Sequence, residues 1–247
     1  MMTTGKRLIE GLKKKGCKTM TIYPSWVTPA TKYPLKKIRS AELIRKKYKE
    51  GIYCMEGVNG YDFFYVTDKI PVTIITINGK EVMVDEPSHQ IGMKLLAKES
   101  KGKVLVGGLG LGLIIHALEN NPEVKSIDVV DLNDDVIKLI NPLIPHTKTT
   151  VYHGDVFDKR WFNGNYDTII LDLWVKGEDG DGRAGVDIEL DVMCDMLCSY
   201  NHFKDAYPKS KIFIWGMRDK QINPAIKKEL NSFCRDFIKR MEELERC

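Results

Sequence analysis

The sequence predicts an α/β protein in which a doubly wound parallel sheet is preceded by a small antiparallel β domain. Between residues 104 and 215, apolar strand-like runs alternate with helical patterns, which is typical of a parallel sheet with crossover helices. A glycine-rich turn at 107–112 separates the first run from its helix. Upstream, Asn78-Gly79 between two β-rich runs is typical of a tight hairpin. These features together indicate a Rossmann-like sheet with a β appendage.

Residues 1–50 are expected to form a basic helical N-terminal segment. Helices are predicted at 4–15 and at 40–50, the second with Ser40 as its N-cap. The segment contains 14 Lys and Arg against 3 Asp and Glu, whereas the rest of the chain contains 24 against 31. Such a surface could bind nucleic acid or another polyanion. A solvated helix face is the alternative, because no nucleic-acid-binding motif accompanies the charge.

Residues 51–88 are expected to form the small β-hairpin domain, which is too small for an independent core. Its predicted strands are 52–55, 61–66, 72–77 and 80–84.

Residues 89–247 are expected to form the Rossmann-like domain, which begins with a helix at 89–99. Its predicted strands are 104–107, 126–131, 149–153, 167–172 and 211–215. Its predicted helices are 111–120, 134–140, a stretch within 187–206, and a long final helix that begins at Asn223 and Pro224.

The composition argues against a membrane protein. No apolar run reaches the length that spans a bilayer, and the basic N-terminus lacks the apolar core of a signal peptide. We therefore expect a cytoplasmic protein. The six cysteines are scattered along the chain without a zinc-type spacing, so we expect neither disulfides nor a metal site.

The glycine spacing favours an adenosyl cofactor over a dinucleotide. Gly108, Gly110 and Gly112 give G-x-G-x-G, and the last position of the dinucleotide pattern G-x-G-x-x-G falls on Leu113. We expect these three glycines to let the backbone approach the ligand closely.

Three acidic residues follow three of the predicted strands. Asp131 stands where a carboxylate can accept hydrogen bonds from ribose hydroxyls. Asp155 could accept from an adenine amino group, with Val156 or Phe157 beside the ring. Asp172 ends the fourth apolar run. Each acid alone could be a helix cap, but three at successive strand ends favour one ligand site.

This order of motifs resembles the class I S-adenosylmethionine-dependent methyltransferases. It resembles more narrowly the spermidine synthase (polyamine aminopropyltransferase) superfamily, because Asp85-Glu86-Pro87-Ser88-His89-Gln90 after the hairpin is similar to that family's D-E-x-x-Y-H-E. The resemblance implies a methyltransferase-type sheet and S-adenosylmethionine or its decarboxylated form as cofactor. It also suggests a homo-oligomer, because the family is often dimeric or larger. The cofactor-binding residues that it implies are Gly108, Gly110, Gly112, Asp131, Asp155, Val156 and Asp172.

The departures from the family concern the acceptor side. His89 stands where the family has tyrosine, and Gln90 and Ile91 replace its histidine and glutamate. Asp172 matches the first aspartate of D-S-[ST]-D-P, which takes a proton from the attacking amine, but Trp174 and Lys176 follow instead of the second acid. Asp172 and His89 are the candidate catalytic residues. For both, a structural role is the alternative.

Three functions are therefore open. The first is methyl transfer to an unknown small-molecule acceptor, which the altered acceptor side favours. The second is aminopropyl transfer, which the hairpin and Asp85-Glu86 suggest. The third is a non-catalytic protein that retains the fold and binds nucleic acid or a partner through residues 1–50.

Overall fold

The computed structural model of the chain describes residues 4–54, 63–173, 196 and 198–215. The N-terminal region is mainly β structure. Its elements, with one 3-10 helix at Pro29–Lys32, are α1 (Thr4–Lys14), β1 (Thr19–Ile22), β2 (Lys37–Ile38), β3 (Ala41–Tyr48), β4 (Gly51–Cys54), β5 (Phe63–Val66), β6 (Ile70–Ile77) and β7 (Lys80–Val84).

These strands form two sheets. One has the order β2-β3-β6-β7 and is antiparallel throughout. In the other, β5 lies between an antiparallel β4 and a parallel β1. The predicted hairpin is confirmed: β6 and β7 are joined at Asn78 and Gly79, whose φ angles are 52° and 79°.

The helix predicted at 40–50 is wrong, because most of these residues form β3. Eight consecutive pairs, from Ala41↔Ile77 to Tyr48↔Ile70, align β3 with β6. Ala41 and Leu43 are buried on one face of the strand. The spacing of the apolar residues in this stretch is compatible with a helix or a strand, and pairing with β6 stabilises the strand.

The second half of the chain alternates strands and helices as predicted. Its elements are α2 (Pro87–Glu99), β8 (Gly102–Gly107), α3 (Leu113–Glu119), β9 (Val124–Asp131), α4 (Asp134–Ile140), β10 (Thr149–His153), β11 (Thr168–Leu171) and β12 (Lys211–Ile214), with helical residues at 198–206. The predicted final helix and Cys194 lie outside the described residues. No helix within the described ranges is long and apolar enough to cross a membrane.

The five strands form one parallel sheet in the order β10-β9-β8-β11-β12. Numbered by appearance, this order is 3-2-1-4-5, so the direction of chain progression reverses between β8 and β11. In a doubly wound sheet, ligands bind at this switch point, outside the carboxyl ends of the strands.

Both faces of the sheet are covered. Val104, Val106 and Ile170 pack in one buried cluster with residues of α2, α3 and α4. Leu105, Ile169 and Leu171 point to the other face, where they share a cluster with Phe203 and Tyr207. The strands are therefore buried on both sides, which explains their continuous apolar sequences.

The N-terminal region shares the main core of the sheet. Tyr33, Leu43 and Ile75 belong to the same buried cluster as Val104 and the helices α2 to α4. The antiparallel sheet therefore packs directly against the elements that carry the glycine loop.

Candidate cofactor-binding site

One row of residues crosses the carboxyl edge of the sheet, with one residue from each strand. The strand registers continue one position past the assigned strands: Gly108 N–H donates to Val130 O at 2.8 Å, Asp172 N–H to Gly107 O at 2.9 Å, and Trp215 N–H to Leu171 O at 2.8 Å. His153 is paired with Asp131. The row reads His153, Asp131, Gly108, Asp172 and Trp215.

Gly108 leaves the centre of this row open. Neighbouring strands are about 4.8 Å apart, so Asp131 and Asp172 stand roughly 10 Å apart along the row, with a residue lacking a side chain between them. Gly108 has φ of 91°, and a Cβ atom there would lie well under 3.0 Å from the carbonyl oxygen of Asp172. The gap between the two carboxylates thus depends on glycine.

Asp131 organises two loops through its carboxylate. Its Oδ2 accepts from Leu109 N–H at 2.7 Å in the glycine loop, and its Oδ1 accepts from Asn133 N–H at 2.8 Å. The Asn133 side chain in turn caps α4. Each carboxylate oxygen retains a second lone pair, so Asp131 can also accept from the two hydroxyls of a ribose.

The loop after β10 offers a polar group and apolar surface together. Asp155 is exposed, its Oδ1 accepts from Phe157 N–H at 2.9 Å, and its carbonyl oxygen accepts from the Trp161 indole at 2.8 Å. Val156 is buried beside Gly107, and its expected place beside the adenine ring stays a prediction.

Two large apolar side chains lie exposed beside these loops. Leu132 is 69% exposed and Phe157 is 37% exposed. His153 Nε2–H donates to the Leu132 carbonyl oxygen at 3.1 Å and so fixes the backbone that carries Leu132. An exposed carboxylate with apolar neighbours suits a planar ring that bears an amino group.

Asp172 is half-buried on the same side of the sheet as Asp131. Burial raises the pKa of its carboxyl to about 7, and the negative charge of Asp131 adds to the rise. In the ligand-free protein this group is therefore protonated below neutral pH. A cation placed beside it would favour the ionised carboxylate.

We expect Asp172→Asn to change how stability depends on pH. Between pH 4 and 7 the folded protein holds a proton on Asp172 that the unfolded chain has released, so the stability of the wild type falls as pH rises through this window. The variant has no such group. Its melting temperature should match that of the wild type near pH 4 and exceed it at pH 8.

Asp85 provides an internal check on this measurement. Burial raises its pKa to about 6, against the opposing effect of hydrogen bonds from Thr28 and Thr73, so Asp85 contributes a similar fall in both proteins. The difference in melting temperature between the two proteins, followed across pH, therefore reports the titration of Asp172 alone. Parallel pH profiles for the wild type and Asp172→Asn would contradict a raised pKa.

His89 lies next to the Asp172 end of the row. Its ring stacks on Trp215 with centroids 5.1 Å apart and planes inclined by 24°. Its Nδ1 is 3.8 Å from Glu86 Oε1, and this oxygen accepts a hydrogen bond from Ser88 Oγ–H at 2.6 Å. The structure therefore places His89 beside an aromatic wall and within reach of a carboxylate.

The sequence missed two members of the row, His153 and Trp215. Both follow the strand-end rule that singled out Asp131, Asp155 and Asp172, and the same rule applied to β10 and β12 would have found them. Trp174 and Lys176 lie outside the described residues. Within the described part of the chain, no group of three or more His, Cys, Asp or Glu side chains is placed to hold a metal ion.

The topology and this edge define the class: a Rossmann-like α/β protein with a glycine loop and acidic residues at the switch point of a doubly wound sheet. No protein-family profile and no curated protein matches the sequence.

Three solved structures similar to the chain are a dimethyladenosine transferase, a precorrin decarboxylase and a methyltransferase-like protein. A dimethyladenosine transferase from Plasmodium falciparum is 18% identical over 36% of this chain and 32% of its own, with a TM-score of 0.29. A precorrin-8w decarboxylase from Methanobacterium thermoautotrophicum is 18% identical over 61% and 71%, with a TM-score of 0.35. Human methyltransferase-like protein 13, in complex with SAH, is 16% identical over 57% and 67%, with a TM-score of 0.37.

The chain spans about a third of the length of the dimethyladenosine transferase. None of these three is named as a spermidine synthase. The narrower resemblance stated above thus stays a prediction from the sequence.

Proposed function

We propose that this protein is an S-adenosylmethionine-dependent transferase and that it transfers a methyl group to a small-molecule acceptor. The observation that carries the proposal is the row at the carboxyl edge of the sheet, in which Asp131 and Asp172 stand on either side of Gly108. When bound, S-adenosylmethionine would supply a methyl group already activated by a positively charged sulfur.

The chain's own residues divide the binding work. Asp131 would accept from the ribose hydroxyls while it holds the glycine loop through Leu109. Asp155 would accept from the adenine amino group, and Leu132 and Phe157 would cover the ring. Asp172 would face the charged end of the cofactor. Because the cofactor is already activated, these residues contribute mainly position and orientation.

Asp172 would also hold a proton when the acceptor must lose one. Its carboxylate oxygen can take the proton as the new bond to carbon forms. The raised pKa, about 7, suits this task near neutral pH. His89 is the second candidate for proton transfer, because Glu86 lies 3.8 Å from its Nδ1.

The surroundings of Asp172 favour methyl over aminopropyl transfer. Its neighbour in the row is Trp215, with His89 stacked on it, so this side of the site is aromatic. A diamine acceptor carries two positive charges, whereas the described residues at this end of the row contribute the single carboxylate of Asp172. The support for aminopropyl transfer, the alternative function, is the sequence resemblance to the spermidine synthase superfamily.

The basic residues of 1–50 are partly engaged within the protein. Lys37, Arg39 and Lys46 each pair with a carboxylate, and Arg45 donates to the carbonyl oxygens of Thr31 and Tyr33. Binding of nucleic acid through this segment, like a homo-oligomeric state and a cytoplasmic location, stays a prediction.

Calorimetry with four adenosyl ligands tests the function. We expect S-adenosylmethionine and S-adenosylhomocysteine to bind, and the decarboxylated cofactor and methylthioadenosine to bind more weakly. NAD serves as the control ligand, because the G-x-G-x-G spacing disfavours dinucleotides. Absence of binding to all four adenosyl ligands would overturn the proposal. Tighter binding of the decarboxylated cofactor would reject methyl transfer in favour of aminopropyl transfer.

A further inference from the structure

The glycine loop has little support of its own. Gly108, Gly110 and Gly112 have positive φ angles of 91°, 48° and 69°. Because glycine can adopt many other backbone conformations, its sequence alone does not fix this one. Within the loop, Gly112 N–H donates to Leu109 O at 2.8 Å. A loop of this composition needs contacts from outside to keep one conformation.

Two side chains of the N-terminal region hold the backbone of Leu111, in the middle of this loop. Tyr33 Oη–H donates to the Leu111 carbonyl oxygen at 3.1 Å. Leu111 N–H donates to Met83 Sδ, also at 3.1 Å. Tyr33 follows the 3-10 helix and Met83 lies in β7, so two separate parts of the chain bond both polar groups of one residue.

Met83 can reach the loop because Gly110 has no side chain. A Cβ atom at Gly110 would lie well under 3.0 Å from Met83 Sδ. Glycine at this position thus permits contact with β7 as well as the approach of a ligand.

Tyr33 is itself held by His116 of α3. Tyr33 Oη lies 2.8 Å from His116 Nε2. Because the single hydroxyl proton is donated to Leu111, the proton of this second bond comes from Nε2–H of the histidine. Burial lowers the pKa of His116, which favours the neutral ring. The hydrogen bonds run from α3 through Tyr33 to the glycine loop.

The short connection between Asp131, at the end of β9, and α4 is held from the same side. Ser40 N–H and Oγ–H both donate to Asp135 Oδ2, at 3.1 and 2.6 Å, and Arg39 lies 3.9 Å from Asp135 Oδ1. Asp135 lies in the first turn of α4, four residues after Asp131. The hydrogen bonds from Ser40 lower the pKa of Asp135 and keep it ionised.

We propose that the N-terminal region braces the cofactor site, with Tyr33, Met83 and Ser40 as positioning residues. Tyr33 and Met83 fix the glycine loop, and Ser40 fixes the start of α4 behind Asp131. The role in cofactor binding rests on the function proposed above. The brace makes the region an integral part of the site rather than an appendage.

Hydrogen exchange of the ligand-free protein, measured by NMR for each amide, tests the brace directly. In Met83→Leu the Leu111 amide loses its acceptor and should exchange about two- to tenfold faster, while amides of β8 keep their rates. Met93→Leu is the matched control, because Met93 is buried in the same core. Unchanged exchange at Leu111 in Met83→Leu, or equal acceleration in Met93→Leu, would overturn the brace.

Calorimetry with S-adenosylhomocysteine then tests its consequence. Tyr33→Phe, Met83→Leu and Ser40→Ala should each weaken binding about two- to tenfold, and Ser40→Thr should restore it, because threonine keeps the hydroxyl. Tyr23→Phe is the control, since Tyr23 is 61% exposed. Wild-type affinity in all three variants would overturn the brace while leaving the proposed function intact. A wild-type protein that binds no adenosyl ligand would overturn the brace's role in binding together with the function.

Discussion

Gly108→Ala is expected to lower the free energy of unfolding by roughly 2–5 kcal/mol. The methyl group would meet the backbone carbonyl oxygen of Asp172, and alanine rarely adopts a φ of 91°. The carbonyl cannot move away easily, because Asp172 N–H is bonded to Gly107 O at 2.9 Å in the sheet. Urea denaturation followed by circular dichroism would measure the loss.

Gly11→Ala is the matched control for this substitution. Gly11 lies within α1, and a Cβ atom there would have no atom within 4 Å apart from its chain neighbours and the backbone of its own helix. Since alanine favours a helix over glycine by about 1 kcal/mol, this variant should be as stable as the wild type or slightly more so. If Gly108→Ala also kept wild-type stability, the close contact with Asp172 would be disproved.

Asp131→Asn is expected to weaken binding of S-adenosylhomocysteine by about 100-fold. The two carboxylate oxygens hold Leu109 N–H and Asn133 N–H, and an amide has only one oxygen to offer. The NH2 group of the asparagine would face one of these two N–H donors and could not accept its hydrogen bond, so either the Leu109 or the Asn133 backbone would lose its contact. Loss of the negative charge also weakens the remaining bonds, including those expected with ribose. Titration calorimetry would measure the affinity.

Asp134→Asn separates this effect from a general loss of negative charge. Asp134 is three residues away in α4, where its side chain is 40% exposed and pairs with Lys138. Because exposed ion pairs contribute little, this variant should bind like the wild type. Equal affinities of Asp131→Asn and the wild type would remove Asp131 from the site.

The sheet could be predicted because its signal is local. Apolar runs bounded by turn residues identified all five parallel strands, and the rule that ligands bind beyond the strand ends brought Asp131 and Asp172 to one edge. The register that puts Gly108 between them could not be predicted, because it depends on hydrogen bonds between strands that are distant in sequence. The roles of these residues in binding remain predictions.

The N-terminal region was harder to predict because its structure depends on distant partners. Residues 41–48 have an ambiguous apolar pattern, and only β6 makes them a strand. The contacts of Tyr33 and Met83 with the glycine loop gave no sequence signal, since neither residue belongs to a motif that indicates such a contact. The parallel pairing of β1 with β5, which are separated in the chain by three other strands, is equally invisible to local patterns.

The central position of β8 also governs the order in which the newly made chain can fold. Its partner β9 follows at once, whereas its other partner, β11, emerges only after α4 and β10. During synthesis the Asp131 side can therefore assemble first, and one edge of β8 stays open with the apolar residues Val104 to Val106 exposed. A strand edge that is unpaired and apolar promotes aggregation. The nascent chain is therefore most exposed to aggregation while the residues between β9 and β11 are being synthesised.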